Sequence, residues 1–536
     1  MSERIPTARQ ETGAAPVRTG LLIDGKTVET EEWTAVRNPA APDLVVGHAA
    51  AATPERARAA VAAADAAFPA WAVIPARRRA EIMSEALTLL DGSEAERAAL
   101  MTRENGKISF ESQIEMGVFV ARTRAAIDLV DSLDRVRRLD GPPLTSYIHR
   151  LPMGVVTVIV PFNWPIAILG ASLPYALLAG NTAVVKPPPT VPLAMVRTLE
   201  LFAAGLPAGV LNVVTGSNEA VAPLLTDPRV RKIVFTGSTA AGKHIMAAAA
   251  QNLASVTLEL GGNDPAIVLD DAVLDQEHIG RLVQGAFLTS GQVCMAVKRV
   301  YVHRSRYDEL VDALSSALDT QRVGPGDDPA TTMGPLNSAA QRDKVAAMLA
   351  QAAGAGAEVR ELGTLAPGAA TSKGHYLRPT LVLDPDTGLR IVTEEQFGPA
   401  LPILPFDDVD SVLHQVNNDW SGLCSSVWSA DAARAAALAE RLRTGTTWIN
   451  HANAVACDDR APFAASGRAV SDARWAPRAC SPSPKRTPSR GTDRNCEHSL
   501  TPPASSGRGP AVLRPYVTPT ARTPRCKGSS HPGPGW

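Results

Sequence analysis

From Pro152 onward two textures alternate along the chain. The short β-branched runs MGVVTVIV, NTAVVKP, VLNVVTG and RKIVFTG read as buried parallel strands. Between them LPYALLAG and VRTLELFAAG space their apolar residues as helices, the first ending at Gly180. Strands alternating with helices predict a doubly wound α/β domain. A second α/β block is predicted from about Gly262 to Phe463, with VKRVYVH, YLRPTLVL, LPILPF, CSSVWS and TTWIN as strand-like runs. Nearer the start, RARAAVAAADAAFPAWA and RAEIMSEALTLLDG have helical spacing, and the first twenty residues read as a flexible arm. No internal repeat of fixed period is visible. Ligands of doubly wound sheets bind outside the carboxyl ends of the strands. PFNWP, KPPPTVP, VTGSN and FTGST all follow strands and are expected to gather on one rim.

Composition narrows the class. A chain of 536 residues implies two or three domains, and 45% hydrophobic with 20% charged residues is ordinary for a soluble globular protein. The net charge of -1 conceals an asymmetry: residues 464–536 hold 12 Lys+Arg against 3 Asp+Glu, leaving the preceding body at -10. An acidic body gives no reason to expect nucleic acid as a partner. No apolar run is long enough to span a membrane, and the first twenty residues lack the apolar core of a secretory signal. Six irregularly spaced cysteines suit reduced thiols in the cytoplasm, and no Cys/His cluster suggests a metal site.

Several residues carry candidate chemistry. Cys294, in FLTSGQVCMAVKR, is either a buried core thiol or a nucleophile, and a nucleophile needs a base or a positive surrounding. Glu259, in VTLELGGNDP, is either an outward-facing strand residue or a buried acid raised toward the range useful for proton transfer. Asn163, between Pro161 and Pro165, is either a turn residue or an amide donor for an oxyanion. Lys186 ends a strand, where it is a solvated surface lysine or a group holding ribose hydroxyls or phosphate. FTGSTAAGKH imitates a phosphate loop, but His244 follows Lys243 where a magnesium-binding Ser or Thr is needed, so an ATPase is rejected. A strand, Gly-Ser-Thr and a helix can still offer backbone N–H groups to an anion. The GxGxxG dinucleotide fingerprint is absent.

Taken together and in order, PFNWP, VVKP, GLPAGVLNVVTG, FTGST, LELGGNDP, SGQVCMA, EEQFGP and SGLCSSVWS resemble the aldehyde dehydrogenase superfamily from about Leu21 to Phe463. The chain looks most like bacterial members carrying SGQVC-x-A-x-KR. The resemblance implies an α/β fold: a Rossmann-type cofactor domain (21–133 and 153–261), an oligomerisation arm (134–152) and a catalytic domain (262–463). It implies oxidation of an aldehyde to a carboxylic acid with NAD or NADP. Cys294 would attack the carbonyl, Asn163 and the Cys294 N–H would hold the oxyanion, and Glu259 would activate the hydrolytic water. Lys186 would bind the adenosine ribose, Ser238 would lie near the pyrophosphate, and Glu395 would bind the nicotinamide ribose beside Phe397. Gly237 would let the backbone approach the cofactor, and Phe162, Gly216 and Leu260 match further cofactor contacts. Pro189 stands where many NAD-specific members have Glu, which leaves NAD only slightly favoured over NADP. Phe162, Trp164, Met295 and Trp420 are candidates for an apolar substrate tunnel. The family's homodimers or homotetramers are the expected assembly.

After Phe463 the resemblance stops. One permitted coding of the residues that follow, with a single G placed in front, reads GGVGQSGIGREVGPEGLL and restores the family pattern. A single-base deletion, or a sequencing error, is therefore expected there, with residues 464–536 as an aberrant, disordered tail. The tail has 12 Pro and only 5 Ile, Leu, Val, Phe or Met among 73 residues, too few apolar side chains to offset chain entropy. Its loss of the family segment would leave the arm with an unpaired edge and the enzyme catalytically impaired.

Overall fold

The computed structural model describes residues 16–133, 136–141, 144–369, 372–453, 457 and 511–519. Two seven-stranded sheets dominate it. In the first the strand order is Ser255–Glu259, Val230–Thr236, Val155–Ile159, Thr182–Lys186, Leu211–Val213, Leu21–Ile23 and Lys26–Val28. The first five run parallel and the last two are antiparallel additions. Every strand expected here from the β-branched runs forms. Their apolar residues divide by the period-two rule: Val156 and Val158 enter one core, Val155 the other. Helices therefore cover both faces, as a parallel sheet requires. The long alanine-rich segment forms the helix Pro54–Ala72, capped by Thr53, and packs on this sheet through Ala57, Ala60, Val61 and Ala64.

Chain order shows where a ligand belongs. From Val155–Ile159 the chain adds strands on one side, then crosses to add Val230–Thr236 and Ser255–Glu259 on the other. The reversal lies between Val155–Ile159 and Val230–Thr236, so their carboxyl ends open a crevice.

The second sheet has the order Glu358–Glu361, Thr380–Leu383, Ala400–Phe406, Arg299–His303, Pro265–Val268, Cys424–Trp428 and Thr446–Ile449. All but its first strand run parallel. Glu259 ends a strand of the first sheet and Pro265 begins one of the second, so five residues carry the chain across.

Two strands lie near the ends of the chain. Within the first twenty residues, expected to be a flexible arm, Val17–Thr19 is a strand paired with Gly47–Ala49. Val17 packs against the core and Thr19 is buried, enough to tie this stretch down. Within the stretch expected to be an oligomerisation arm, Arg137–Gly141 and Leu144–Pro152 form a hairpin, and the outer edge of Leu144–Pro152 is paired. Ala511–Pro519, inside the segment expected to be disordered, runs antiparallel to it over nine residue pairs. The open edge offers backbone partners, and AVLRPYVTP supplies β-forming residues, its prolines tolerated on an edge strand. The remainder of residues 464–536 lies outside the described residues. Removing residues 511–536 should reopen that edge and shift gel filtration toward larger species. An unchanged, discrete elution volume would contradict this.

One buried acid links packing to stability. Both carboxylate oxygens of Glu104 accept from the helix Leu193–Ala203, from Leu193 N (2.8 Å) and Ala194 N (2.7 Å). Glu104→Ala leaves two buried donors without an acceptor, a cost of about 2–4 kcal/mol, and should lower the melting temperature clearly more than Glu104→Gln. Burial pushes the Glu104 carboxyl up to about 8. The folded chain then keeps a proton that the unfolded chain loses near pH 4.5, so this contribution is lost as pH rises from there through 8. Melting temperatures across that window should fall more steeply for the native chain than for Glu104→Gln, and parallel slopes would contradict the assignment.

Candidate active site

The rim loops enclose one cavity of about 800 Å³, lined by Phe162, Asn163, Lys186, Gly237, Ser238, Glu259, Leu260, Cys294, Glu395 and Phe397. Ten of the eleven residues singled out from the sequence thus share one space. Gly216 does not; with a φ of +148° it lines a neighbouring cleft of about 210 Å³ that shares Pro188 and Pro189 with the main cavity.

Topology explains why residues so distant in sequence meet. Lys186 and Glu259 end strands of the first sheet, and Asn163 and Ser238 follow the carboxyl ends of two others. Cys294 and Glu395 precede Arg299–His303 and Ala400–Phe406, which are parallel neighbours in the second sheet. Carboxyl ends of one sheet therefore face amino ends of the other across the cavity. Gly261, at the crossing, lies against the Glu395 carboxyl group: a Cβ there would sit 2.0 Å from its Oε2 atom, so a side chain would displace that carboxylate.

Cys294 is half-buried, and its segment turns sharply before reaching it. Thr289, Ser290 and Gly291 all take left-handed φ values, 52°, 55° and 72°. Such backbone is unfavourable for Thr and Ser, so neighbours must hold it. Thr289 N donates to Glu111 Oε1 (2.6 Å), Trp164 Nε1 donates to Thr289 Oγ1 (2.9 Å) and Ser290 Oγ donates to Gly334 O (2.7 Å). Any Cβ at Gly291 would lie 2.3 Å from Gly398 O.

The opposite wall is the PFNWP loop. Lys107 Nζ donates to Asn163 O and to Glu115 Oε2, both at 2.6 Å, and lies 4.2 Å from the Trp164 ring. Glu115 Oε1 accepts from Ile166 N and Ala167 N at the start of the helix Pro165–Gly170. Asn105 Nδ2 donates to Phe162 O (2.6 Å). Asn163 itself is buried, and its side-chain oxygen has no hydrogen-bond partner.

Electrostatically the pocket opposes a free thiolate. Burial pushes the Cys294 thiol up to about 12, with the Glu395, Asp264 and Glu259 carboxylates adding to the effect and Lys298 opposing it. Lys298 is buried, donates to Val293 O and lies 5.6 Å from the Phe397 ring. Burial likewise pushes Glu395 up, against the pull of Lys298 and Lys344. Lys186, donating to Asn218 Oδ1 (3.1 Å), is brought down to about 8 by burial.

The walls fit a dinucleotide. The volume is within the roughly 300–1,000 Å³ range of small-molecule sites. Ser238 caps the eleven-residue helix Thr239–Ala249, whose first turn borders the cavity and presents N–H groups suited to a pyrophosphate. Glu395 Oε1 is buried without a partner, an acceptor ready for a ribose hydroxyl. The role expected for Gly237 is supplemented by a local one: a Cβ there would strike the Phe235 ring at 2.5 Å.

The tunnel candidates separate. Trp164 and Met295 join an apolar cluster beside Cys294 that includes Leu288, Val293, Trp448 and Cys457. Phe162 instead faces Phe397 edge-on at 5.8 Å, on the cavity side, and Trp420 donates to Thr393 O and has no place in that cluster. Sequence reasoning missed Lys107, Glu111, Glu115 and Lys298, because a charge within a helical or mixed run looks solvated until its partners are known. Among the described residues no cluster of His, Cys, Asp and Glu could hold a metal ion, and no helix is long and apolar enough to cross a membrane.

Known proteins share this arrangement over most of the chain. The model of the aldehyde dehydrogenase family matches residues 26–471. Lactaldehyde dehydrogenase of Escherichia coli strain K12 is 35% identical over 452 residues, covering 82% of this chain and 92% of that one. An NADP(+) succinate-semialdehyde dehydrogenase of the same strain is 34% identical over 454 residues, covering 82% and 91%. A crystal structure of betaine aldehyde dehydrogenase from Staphylococcus aureus in complex with NAD+ superposes with a TM-score of 0.83 at 27% identity, covering 94% and 96%. A match of this length, on a crevice that fits a dinucleotide beside a cysteine, means that the chain belongs to the aldehyde dehydrogenase family of NAD(P)-dependent oxidoreductases, which oxidise aldehydes.

Proposed function

We propose that Cys294 is the nucleophile, Asn163 the oxyanion donor and Glu259 the general base of this aldehyde dehydrogenase. The observation that carries the reading is the single cavity onto which all three open, with Lys186, Ser238 and Glu395 lining the same space. Attack by the Cys294 sulfur on the carbonyl carbon gives a thiohemiacetal, whose oxyanion accepts hydrogen bonds from the Asn163 side-chain amide and the Cys294 N–H. NAD(P)+ supplies the hydride acceptor. Loss of hydride leaves a thioester on Cys294. Glu259 takes a proton from water, the hydroxide attacks the thioester, and the carboxylic acid leaves as the thiol is restored. The raised Cys294 thiol needs a proton acceptor in the first step as well, and Glu259 lines the same space.

Lys186 would hold the adenosine ribose, Ser238 would lie near the pyrophosphate, and Glu395 with Phe397 would flank the nicotinamide. NAD is the expected cofactor, with NADP accepted. Pro188, Pro189, Thr190, Asn218 and His244 line the Lys186 end, so no carboxylate among these described residues opposes a 2′-phosphate. The substrate is an uncharged aliphatic or aromatic aldehyde. Relatives named for lactaldehyde, betaine aldehyde and succinate semialdehyde stand at nearly equal identity. The cluster beside Cys294 is apolar and sulfur-rich, which favours an apolar substrate. A cytoplasmic homodimer or homotetramer joined through residues 134–152 completes the reading.

The test is NAD(P)H absorbance with a panel of aldehydes. Hexanal and benzaldehyde should be turned over faster than succinate semialdehyde, and Cys294→Ala should abolish every signal. Turnover surviving in Cys294→Ala would overturn the assignment. Running the chain beside a version with the family reading frame restored after Phe463 decides whether that segment matters. For the cofactor, kcat/KM with NADP should lie within about tenfold of that with NAD, or about 1.4 kcal/mol. Pro189→Glu should widen the gap in favour of NAD; an unchanged ratio would contradict the placement of that subsite. Without cofactor, iodoacetamide alkylation of Cys294 should still be rising beyond pH 10, and a plateau at the ordinary thiol value would show that the burial argument fails.

A further inference from the structure

We propose that Glu111 is a positioning residue that sets the nucleophile loop against the oxyanion loop. This rests on the roles just given to Cys294 and Asn163. Glu111 and Glu115 stand one helical turn apart on Ser109–Ile127, and each is buried. Their partners lie on opposite walls of the cavity. Glu115, with Lys107, fixes the PFNWP loop through Asn163 O and the N–H groups of Ile166 and Ala167. Glu111 fixes the left-handed turn before Cys294 through Thr289 N at 2.6 Å. One helix face therefore measures the gap between oxyanion donor and sulfur.

A second bond closes the frame. Trp164, next to Asn163, donates to Thr289 Oγ1 at 2.9 Å, while its ring lies 4.2 Å from Lys107 Nζ. Thr289 is thus held from its backbone by Glu111 and from its side chain by the opposite loop. Threonine at φ 52° relaxes toward ordinary backbone when such restraints are lost. Relaxation would swing the segment leading to Cys294 and misalign the sulfur. Glu111 touches neither substrate nor cofactor in this scheme; it acts through Thr289.

The experiment compares Glu111→Ala and Glu111→Gln with the unaltered chain, scoring turnover per titratable Cys294 thiol. Glutamine keeps an oxygen for Thr289 N, and alanine does not. Glu111→Ala should lose about 100-fold in kcat per thiol, the scale of a 1 Å misplacement, with the cofactor KM unchanged. Glu111→Gln should return to within about threefold of the unaltered chain. Iodoacetamide should label Cys294 about tenfold faster in Glu111→Ala, because the loosened loop exposes the thiol, and should label Glu111→Gln at the unaltered rate. A merely structural role would reduce the number of competent thiols without changing turnover per thiol. Unchanged turnover per thiol in Glu111→Ala, or equal damage from both variants, would overturn the proposal. If Glu111→Ala does not fold, Trp164→Phe removes only the second restraint, and kcat should fall about tenfold; no fall would count against the frame. A chain that oxidises no aldehyde would sink the catalytic reading, whereas the labelling rates would still decide the role of Glu111.

Discussion

The ion pair between Lys107 and Glu115 is the constraint on which the site depends. Neither side chain has any solvent exposure, and the two charges are 2.6 Å apart. Burying such a pair is costly unless every remaining donor and acceptor is used. Here the ammonium also serves the Asn163 carbonyl and the Trp164 ring, and the carboxylate also serves two N–H groups at a helix start. All of these partners belong to the PFNWP loop and the helix after it. The pair holds the loop, and the loop makes the pair tolerable. Breaking one half of a buried pair costs about 3–5 kcal/mol, and in this chain that cost would fall on the oxyanion wall.

The second determinant is topological. A parallel sheet delivers all its following loops to one end, and a second parallel sheet placed beyond it contributes its preceding loops. The five-residue crossing from Glu259 to Pro265 holds the two in register, with Lys298 N donating to Asp264 O (2.9 Å) just where the second sheet begins. Lateral pairing of Arg299–His303 with Ala400–Phe406 then sets Cys294 beside Glu395, about a hundred residues away in sequence. In the proposed assignment the chemistry inherits this polarity: the groups proposed to hold the cofactor come chiefly from the first sheet and the proposed nucleophile from the second.

Much of this was legible in the sequence. The period and β-branching of VVTVIV, AVVK and KIVFT identified buried parallel strands, since neither face of such a strand can be polar. Ordered motifs picked out ten of the residues that share the cavity. Less was visible where a residue's role depends on distant partners. Glu111, Glu115 and Lys107 sit in KISFESQIEM, whose charges look solvated until the loops packed on them are known. The left-handed turn at Thr289 and Ser290 carries no glycine signal, because tertiary bonds rather than local preference hold it. Gly216 lines a cleft that adjoins the cavity and shares Pro188 and Pro189 with it, and Trp420 donates to Thr393 O. Val17–Thr19 was hidden by the polar residues before it, and Ala511–Pro519 by a composition that promises no core; pairing with a neighbouring strand's backbone asks for little of either.

The central claim is that Cys294 carries the acyl group and Glu259 releases it. Mass spectrometry of Glu259→Gln, quenched after mixing with NAD+ and an aldehyde, tests both halves at once. The account predicts that the peptide bearing Cys294 gains the mass of the acyl group slowly, because the first deprotonation is also hindered, and then retains it, because the water that would cleave the thioester has lost its base. An unmodified Cys294 peptide alongside continuing NADH formation, or an acyl group on Cys424 or Cys457 instead, would contradict it.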